Sequence, residues 1–239
     1  MNWFHVKLLC PNGRICVRER RILSNMKLNP YHVFFFVLHL AILVNACQPQ
    51  QWSSHPLPDD AVVLALGDSL TVGVGAEAED SYPSQLAELT GWRVISEAVS
   101  GHKSSDLLSR LESALDRPRI DLILLLIGGN DFLKKRPEAE TRRNIRNIIR
   151  TIQAKHIPVV MIAVPKPGIL LRPHPLYEEI AEELQVPVIK DLLAELLSDP
   201  SLHSDAVHLN AQGYRRLAQG VAEHLVAFGF LREIKNQAR

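Results

Sequence analysis

Six consecutive apolar residues, Leu122-Ile123-Leu124-Leu125-Leu126-Ile127, form a segment with no polar face. A strand of this kind must be covered on both sides, which is the condition of a central strand in a parallel sheet. It belongs to a series. Ala61 to Leu66 is a short apolar run ending at Gly67, Arg93-Val94-Ile95 follows a stop at Gly91, Val159 to Val164 is apolar throughout, and Val186 to Ile189 is a short fifth run. Between them lie stretches of helical period. These are Ser81 to Leu89, Ser104 to Leu115 with Leu107, Leu108, Leu111 and Leu115 on one face, and Pro137 to Lys155 with a stripe of Ile145, Ile148, Ile149 and Ile152. Two more follow, around Tyr177 to Leu184 and from Asn210 to about Phe228. Alternation at these lengths predicts βαβ units and a parallel, doubly wound sheet. Ligands of such sheets bind beyond the carboxyl ends of the strands, so chemistry is expected along that edge.

Other features bound what the chain can be. Of its 239 residues, 1–47 read as an N-terminal leader and 48–60 as a Gln-, Ser- and Pro-containing tether. That leaves 61–232 as the domain and 233–239 as a polar tail. A domain of roughly 180 residues holds one sizeable core. A net charge of +1 with 22% charged residues gives no field suited to nucleic acid, and 46% hydrophobic residues exclude a disordered chain. The stretch from Tyr31 to Ala46 is almost continuously apolar yet shorter than the roughly 20 residues of a spanning helix, and it reads as a secretory signal. It ends Val44-Asn45-Ala46-Cys47, which resembles a bacterial lipobox with Cys47 as the lipidated mature N-terminus; a plain cleaved signal and a single anchor helix are the alternatives. Met26-Lys27 would make a well-proportioned start for such a signal. The expected location is the bacterial cell envelope, exported and held on the membrane by a lipid anchor. All three cysteines, Cys10, Cys16 and Cys47, precede the domain, so it has neither a disulfide nor a thiolate metal site. No feature of the sequence sets an oligomeric state.

Three short motifs fall where the sheet would expose them. Gly67-Asp68-Ser69-Leu70 follows the first strand, and a serine there would present its hydroxyl at the ligand edge; a helix N-cap is the competing reading. The segment is not Gly-x-Ser-x-Gly, because Thr71 replaces the last glycine, which disfavours an α/β-hydrolase elbow. Gly101 follows the second strand and Gly128-Gly129-Asn130-Asp131 the third. An asparagine amide can donate to a developing oxyanion, although the same four residues would also make a good turn. Asp205-Ala206-Val207-His208 places an acid three residues before a histidine, close enough to fix its tautomer and leave the other ring nitrogen as a base. With ten histidines in the chain, a helix cap beside a surface histidine is the simpler alternative.

Taken together, the motifs resemble the SGNH-hydrolase superfamily, the GDSL esterase/lipase family, from about Ala61 to the C-terminal helix. The chain looks closest to the bacterial arylesterase and thioesterase I/lysophospholipase group. The resemblance implies Ser69 as nucleophile, an oxyanion hole of the Ser69 and Gly101 N–H groups with the Asn130 amide, and Asp205 and His208 as acid and base. It implies a flavodoxin-like three-layer α/β/α fold with a five-stranded parallel sheet, and hydrolysis of small ester or lipid substrates without cofactor or metal. Ser96 stands where the family often has Asn, and Leu209 where it often has Pro; neither removes a catalytic atom. A carbohydrate O-deacetylase of the same fold, or a lipid-anchored binding protein without turnover, are the alternative functions.

Three further features carry paired expectations. His102 either touches substrate or faces solvent. Arg142, Arg146 and Arg150 form a helical stripe that either meets anionic lipid or is solvated. The Pro165–Pro175 loop either lines an acyl pocket or is a rigid crossing. A metal site from His203, Asp205 and His208 has no i, i+4 histidine pair and no thiolate to support it.

Overall fold

A computed structural model describes residues 55–168 and 171–235, together with Ser53 and two short strands near the N-terminus. The chain forms two compact units, Met1–Gln48 and Pro49–Arg239. In the first, β1 (Lys7–Leu9) pairs antiparallel with β2 (Ile15–Val17). The apolar stretch from Tyr31, the lipobox and Cys47 lie outside the described residues.

The second unit carries the sheet. Its strands are β3 (Val62–Gly67), β4 (Arg93–Ala98), β5 (Leu122–Leu126), β6 (Val159–Ile162) and β9 (Val188–Ile189), in the order β4-β3-β5-β6-β9 and all parallel. This is a flavodoxin-like sheet of five strands. β5 is buried at every position and β3 at all but Val62, whereas the edge strand β4 exposes Arg93 and Ser96. Central strands lose water on both faces, which is why their sequence shows no alternation. Helices α2 (Tyr82–Thr90) and α8 (Ala211–Ala227) pack against each other, as do α3 (Ser104–Leu115) with α5 (Glu138–Ala154) and α5 with α6 (Leu176–Leu184).

Several elements escape a reading by period because they are too short to show one. α1 (Ser69–Val72) and α4 (Gly129–Leu133) begin directly after strands β3 and β5, and α7 (Leu192–Leu196) follows β9. Within the Pro-rich segment, β7 (Pro165–Lys166) and β8 (Arg172–Pro173) form a small antiparallel ribbon. Among the described residues no helix is long and apolar enough to cross a membrane.

The strand order reverses beside β3. The chain runs from β3 to β4 on one side, then crosses to β5 on the other. The carboxyl ends of β3 and β5 therefore flank the switch point, where a crevice opens in folds of this type. Gly67 closes β3 against β5: a Cβ there would lie 2.6 Å from the Leu126 carbonyl oxygen. Gly67→Ala is expected to cost about 2 kcal/mol through this overpacking. A domain of this size should then lose about 4–8 °C in Tm, which a thermal melt would read.

Candidate active site

The site begins with the turn that leaves β3. Asp68 caps α1, its carboxylate accepting from the Leu70 N–H at 3.2 Å, and Ser69 is the first residue of that helix. Gly73 ends the helix after one turn in the left-handed region at φ 91°. The serine is therefore fixed at the end of a buried strand with its side chain toward the crevice.

Asp205 and His208 reach it from the loop before α8. His208 Nε2 lies 2.9 Å from Ser69 Oγ, and its Nδ1 lies 2.7 Å from Asp205 Oδ2. The other carboxylate oxygen of Asp205 accepts from the backbone N–H groups of Val207 and His208 at 2.8 and 2.9 Å. The His208 hydrogen bond and then the Val207 N–H hold the Asp205 pKa down to about 2. An ionised Asp205 can only accept, so the proton sits on Nδ1, leaving Nε2 to accept from the Ser69 hydroxyl. The loop is pinned from behind. Asn210 caps α8 through the Gly213 N–H at 3.0 Å while its amide donates to the Ser201 and His203 carbonyls. The Tyr214 hydroxyl donates to the Val74 carbonyl at 2.7 Å, tying α8 to the segment after Ser69. Leu209 is fully buried and its backbone bridges to His203, so packing holds the position where the family often uses proline.

Gly101 and Asn130 converge on the same edge. Gly101 adopts φ 79° in the loop after β4, with no atom within 4 Å of the place a Cβ would take. The Asn130 amide donates to the His102 carbonyl at 3.1 Å and approaches Asp68 Oδ2 at 3.4 Å. Ser96 is exposed on the edge strand β4. Other groups support the Gly101 loop: Lys134 Nζ donates to the Gly101 carbonyl at 3.2 Å, and a buried network anchors the start of α3. In that network the Asp131 carboxylate accepts from the Ser104 N–H at 2.8 Å, the Ser104 hydroxyl at 2.6 Å and the Thr141 hydroxyl at 3.3 Å, while Asn144 donates to Ser104 Oγ. Asp131→Ala would leave several buried donors without an acceptor. It is expected to cost about 3 kcal/mol and to loosen the Gly101 loop, read as a lower Tm together with a lower kcat.

A cavity of about 320 Å³ joins these residues. Asp68, Ser69, Gly101, Asn130 and His208 line one side, and Val164, Pro165, Pro167, Leu171, Leu197 and Val207 give it an apolar wall. The Pro-rich segment thus forms part of the wall, as one of its two readings proposed. His102 does not stand free in solvent: it is partly buried, with Nδ1 accepting from Arg110 at 3.4 Å. The arginine stripe is occupied by carboxylates. Arg142 pairs with Glu138 and Glu179, and Arg146 and Arg150 both pair with Glu183, so the stripe serves α5–α6 packing. Among the described residues no group of three or more His, Cys, Asp or Glu side chains could hold a metal ion. Sequence reasoning passed over Asp68, Asp131 and Tyr214. The first two sat inside quoted motifs, where turn and cap chemistry accounted for them.

The matched family model decides the lineage: residues 65–216 fit the GDSL-like Lipase/Acylhydrolase family. The chain belongs to that family. An arylesterase of Vibrio mimicus is 29% identical over 175 residues, covering 69% of this chain and 88% of the relative. The thioesterase 1/protease 1/lysophospholipase L1 of Escherichia coli K12 is 25% identical over 173 residues, covering 68% and 82%. Among solved structures, AlinE4, an SGNH-hydrolase family esterase, superposes with a TM-score of 0.56 at 27% identity, covering 71% of this chain and 97% of that one. The psychrotrophic esterase EstA of Pseudoalteromonas gives 0.61 at 20% identity, covering 69% and 96%, and supports the fold. The protein is accordingly a GDSL-type esterase acting on small-molecule esters.

Proposed function

We propose that this esterase hydrolyses carboxylic esters through a Ser69-His208-Asp205 relay and an acyl-enzyme. The observation that carries the reading is the unbroken chain Ser69 Oγ–His208–Asp205, with links of 2.9 and 2.7 Å, the first between residues 139 apart in sequence. Ser69 Oγ attacks the acyl carbon as its proton passes to His208 Nε2, and the imidazolium is stabilised by ionised Asp205. The tetrahedral oxyanion is met by the Ser69 and Gly101 N–H groups and the Asn130 amide. The C–O bond to the leaving group then breaks, and the alcohol departs with the proton from His208. Water repeats the sequence on the acyl-enzyme, giving its proton to His208, and Ser69 leaves carrying that proton again.

The apolar wall favours an apolar acyl or aryl group, and Leu133 and Val207 extend that surface to the exposed rim. Aryl esters, acyl-thioesters and lysophospholipids are the candidate substrates, in keeping with the activities for which the relatives are named. Hydrolysis of p-nitrophenyl acetate and butyrate by the wild type and Ser69→Ala tests the relay, and a panel of acyl lengths, thioesters, lysophospholipids and acetylated sugars ranks the substrates. Faster turnover of acetylated sugars than of every acyl or aryl ester would replace the substrate proposal. Export on a lipid anchor at Cys47 is part of the same proposal, supported by the lipobox-like residues. Mass spectrometry of the mature N-terminus should find diacylated Cys47; an unmodified start downstream of it would refute the anchor.

A further inference from the structure

Asp68 is almost fully buried, yet it faces the cavity that holds Ser69 and Asn130. Buried carboxylates are costly unless each oxygen has a donor, and both oxygens of Asp68 have one in the site itself. Oδ1 accepts from the Leu70 N–H and so fixes the turn that bears Ser69; Oδ2 stands 3.4 Å from Asn130 Nδ2. The remaining amide hydrogen of Asn130 goes to the His102 carbonyl at 3.1 Å.

We propose that Asp68 is the positioning residue of the oxyanion site, holding the Asn130 amide with its nitrogen toward the acyl oxygen. The proposal rests on the esterase reading of the site above. Its physical basis is the near symmetry of an amide. Oδ1 and Nδ2 occupy almost the same volume, so packing alone does not choose which one faces the substrate, and hydrogen-bond partners must choose. Two acceptors, Asp68 Oδ2 and His102 O, meet Nδ2; a flipped amide would aim a lone pair at each of them and present Oδ1 to the oxyanion. The Asp68 contact is the longer of the two, so a small rotation of the whole amide shares that hydrogen with an oxyanion as charge develops. The carboxylate touches no reacting atom and acts through Asn130.

Asp68→Asn tests this directly. The asparagine can still cap α1 with its oxygen, but its amide then meets the Asn130 amide donor to donor. The expected result is a fall in kcat of about 10- to 100-fold with KM changed less than about two-fold, below the 10²–10³ fold expected for deleting the Asn130 donor outright. In an Asn130→Ala background the same substitution should change kcat less than about two-fold, because residues that act through one contact are not additive. Asp68→Ser keeps a capping oxygen too short to reach Asn130 and should repeat the pattern if Asp68→Asn proves unstable. Wild-type kcat in Asp68→Asn, or an undiminished loss in the Asn130→Ala background, would overturn the proposal.

A second readout does not depend on turnover. The Asn130 side-chain amide, assigned by its disappearance in Asn130→Ala, is followed by nitrogen–proton NMR through a pH titration in His208→Ala. Burial raises the Asp68 pKa to about 6, against the Leu70 N–H and the attraction of His208; Asp131 raises it further, and Tyr82, Tyr177 and Tyr214 also lie within its field. With His208 removed, the Asn130 resonances should shift with a midpoint at or above about 6, and the shift should vanish when Asp68→Asn is added. Resonances indifferent to Asp68 would overturn the proposal. If Ser69→Ala retained wild-type turnover, the esterase relay would fall and this titration alone would decide for or against the Asp68–Asn130 contact.

Discussion

Ser69→Ala should lower kcat for p-nitrophenyl butyrate by on the order of 10⁴–10⁶, with the fold intact. The loss is large because, among the described residues, Ser69 Oγ alone stands at hydrogen-bond distance from His208 Nε2, at 2.9 Å. The residual rate should come from the oxyanion donors and from substrate positioning, which survive the substitution. Stability should hardly move, since removing a partly exposed hydroxyl leaves the Asp68 cap of α1 in place. The comparison therefore needs both a kinetic assay and a thermal melt. Unchanged turnover by a folded variant would remove Ser69 from the mechanism.

Asp205→Asn should lower kcat by about 10³, somewhat less than the roughly 10⁴ known for a buried carboxylate in this role. The variant's amide can donate to Nδ1, which would place the imidazole proton on Nε2, the nitrogen that must accept from Ser69. The moderation has a physical cause: the Asp205 side chain is 54% exposed, so water screens part of its field. The pH dependence has a definite sign. With a folded pKa lowered to about 2, Asp205 stabilises the native loop at all pH values above its unfolded pKa, and that contribution is lost as pH falls toward 2. Any loss of activity above the ordinary carboxylate range is therefore not a protonation of Asp205. A profile of kcat against pH for both proteins checks this. A lower kcat in Asp205→Asn at every pH above the ordinary carboxylate range is expected, and equal rates for the two proteins there would refute the assignment.

The fold was legible because burial writes itself into hydrophobic pattern. β5 can be read as central from Leu122 to Leu126 alone, since every side chain there leaves water. The short elements were not legible. α1 and α4 are four and five residues long, below any helical period, and their starts depend on Asp68 and on the φ of Gly128. The small ribbon of β7 and β8 was likewise hidden, because two-residue strands rich in proline carry no alternation.

By itself the sequence determined the α/β class, the strands whose ends carry Ser69, Gly101 and Asn130, and the family resemblance. These depend on local pattern and on motifs a few residues long. Only the tertiary structure decided which groups meet. His208 reaches Ser69 across 139 residues, carrying Asp205 with it, because α8 packs on α2 and Tyr214 bonds to Val74. The arginines of α5 find glutamates on α6 rather than open solvent, and the Gly101 loop leans on Asp131 and Lys134. The buried carboxylate of Asp68 beside Asn130 is the sharpest case. A cap residue in a four-letter motif becomes a partner of the Asn130 amide only when the ends of β3 and β5 lie side by side. Proximity of that kind is a property of the packed sheet, and no stretch of sequence records it.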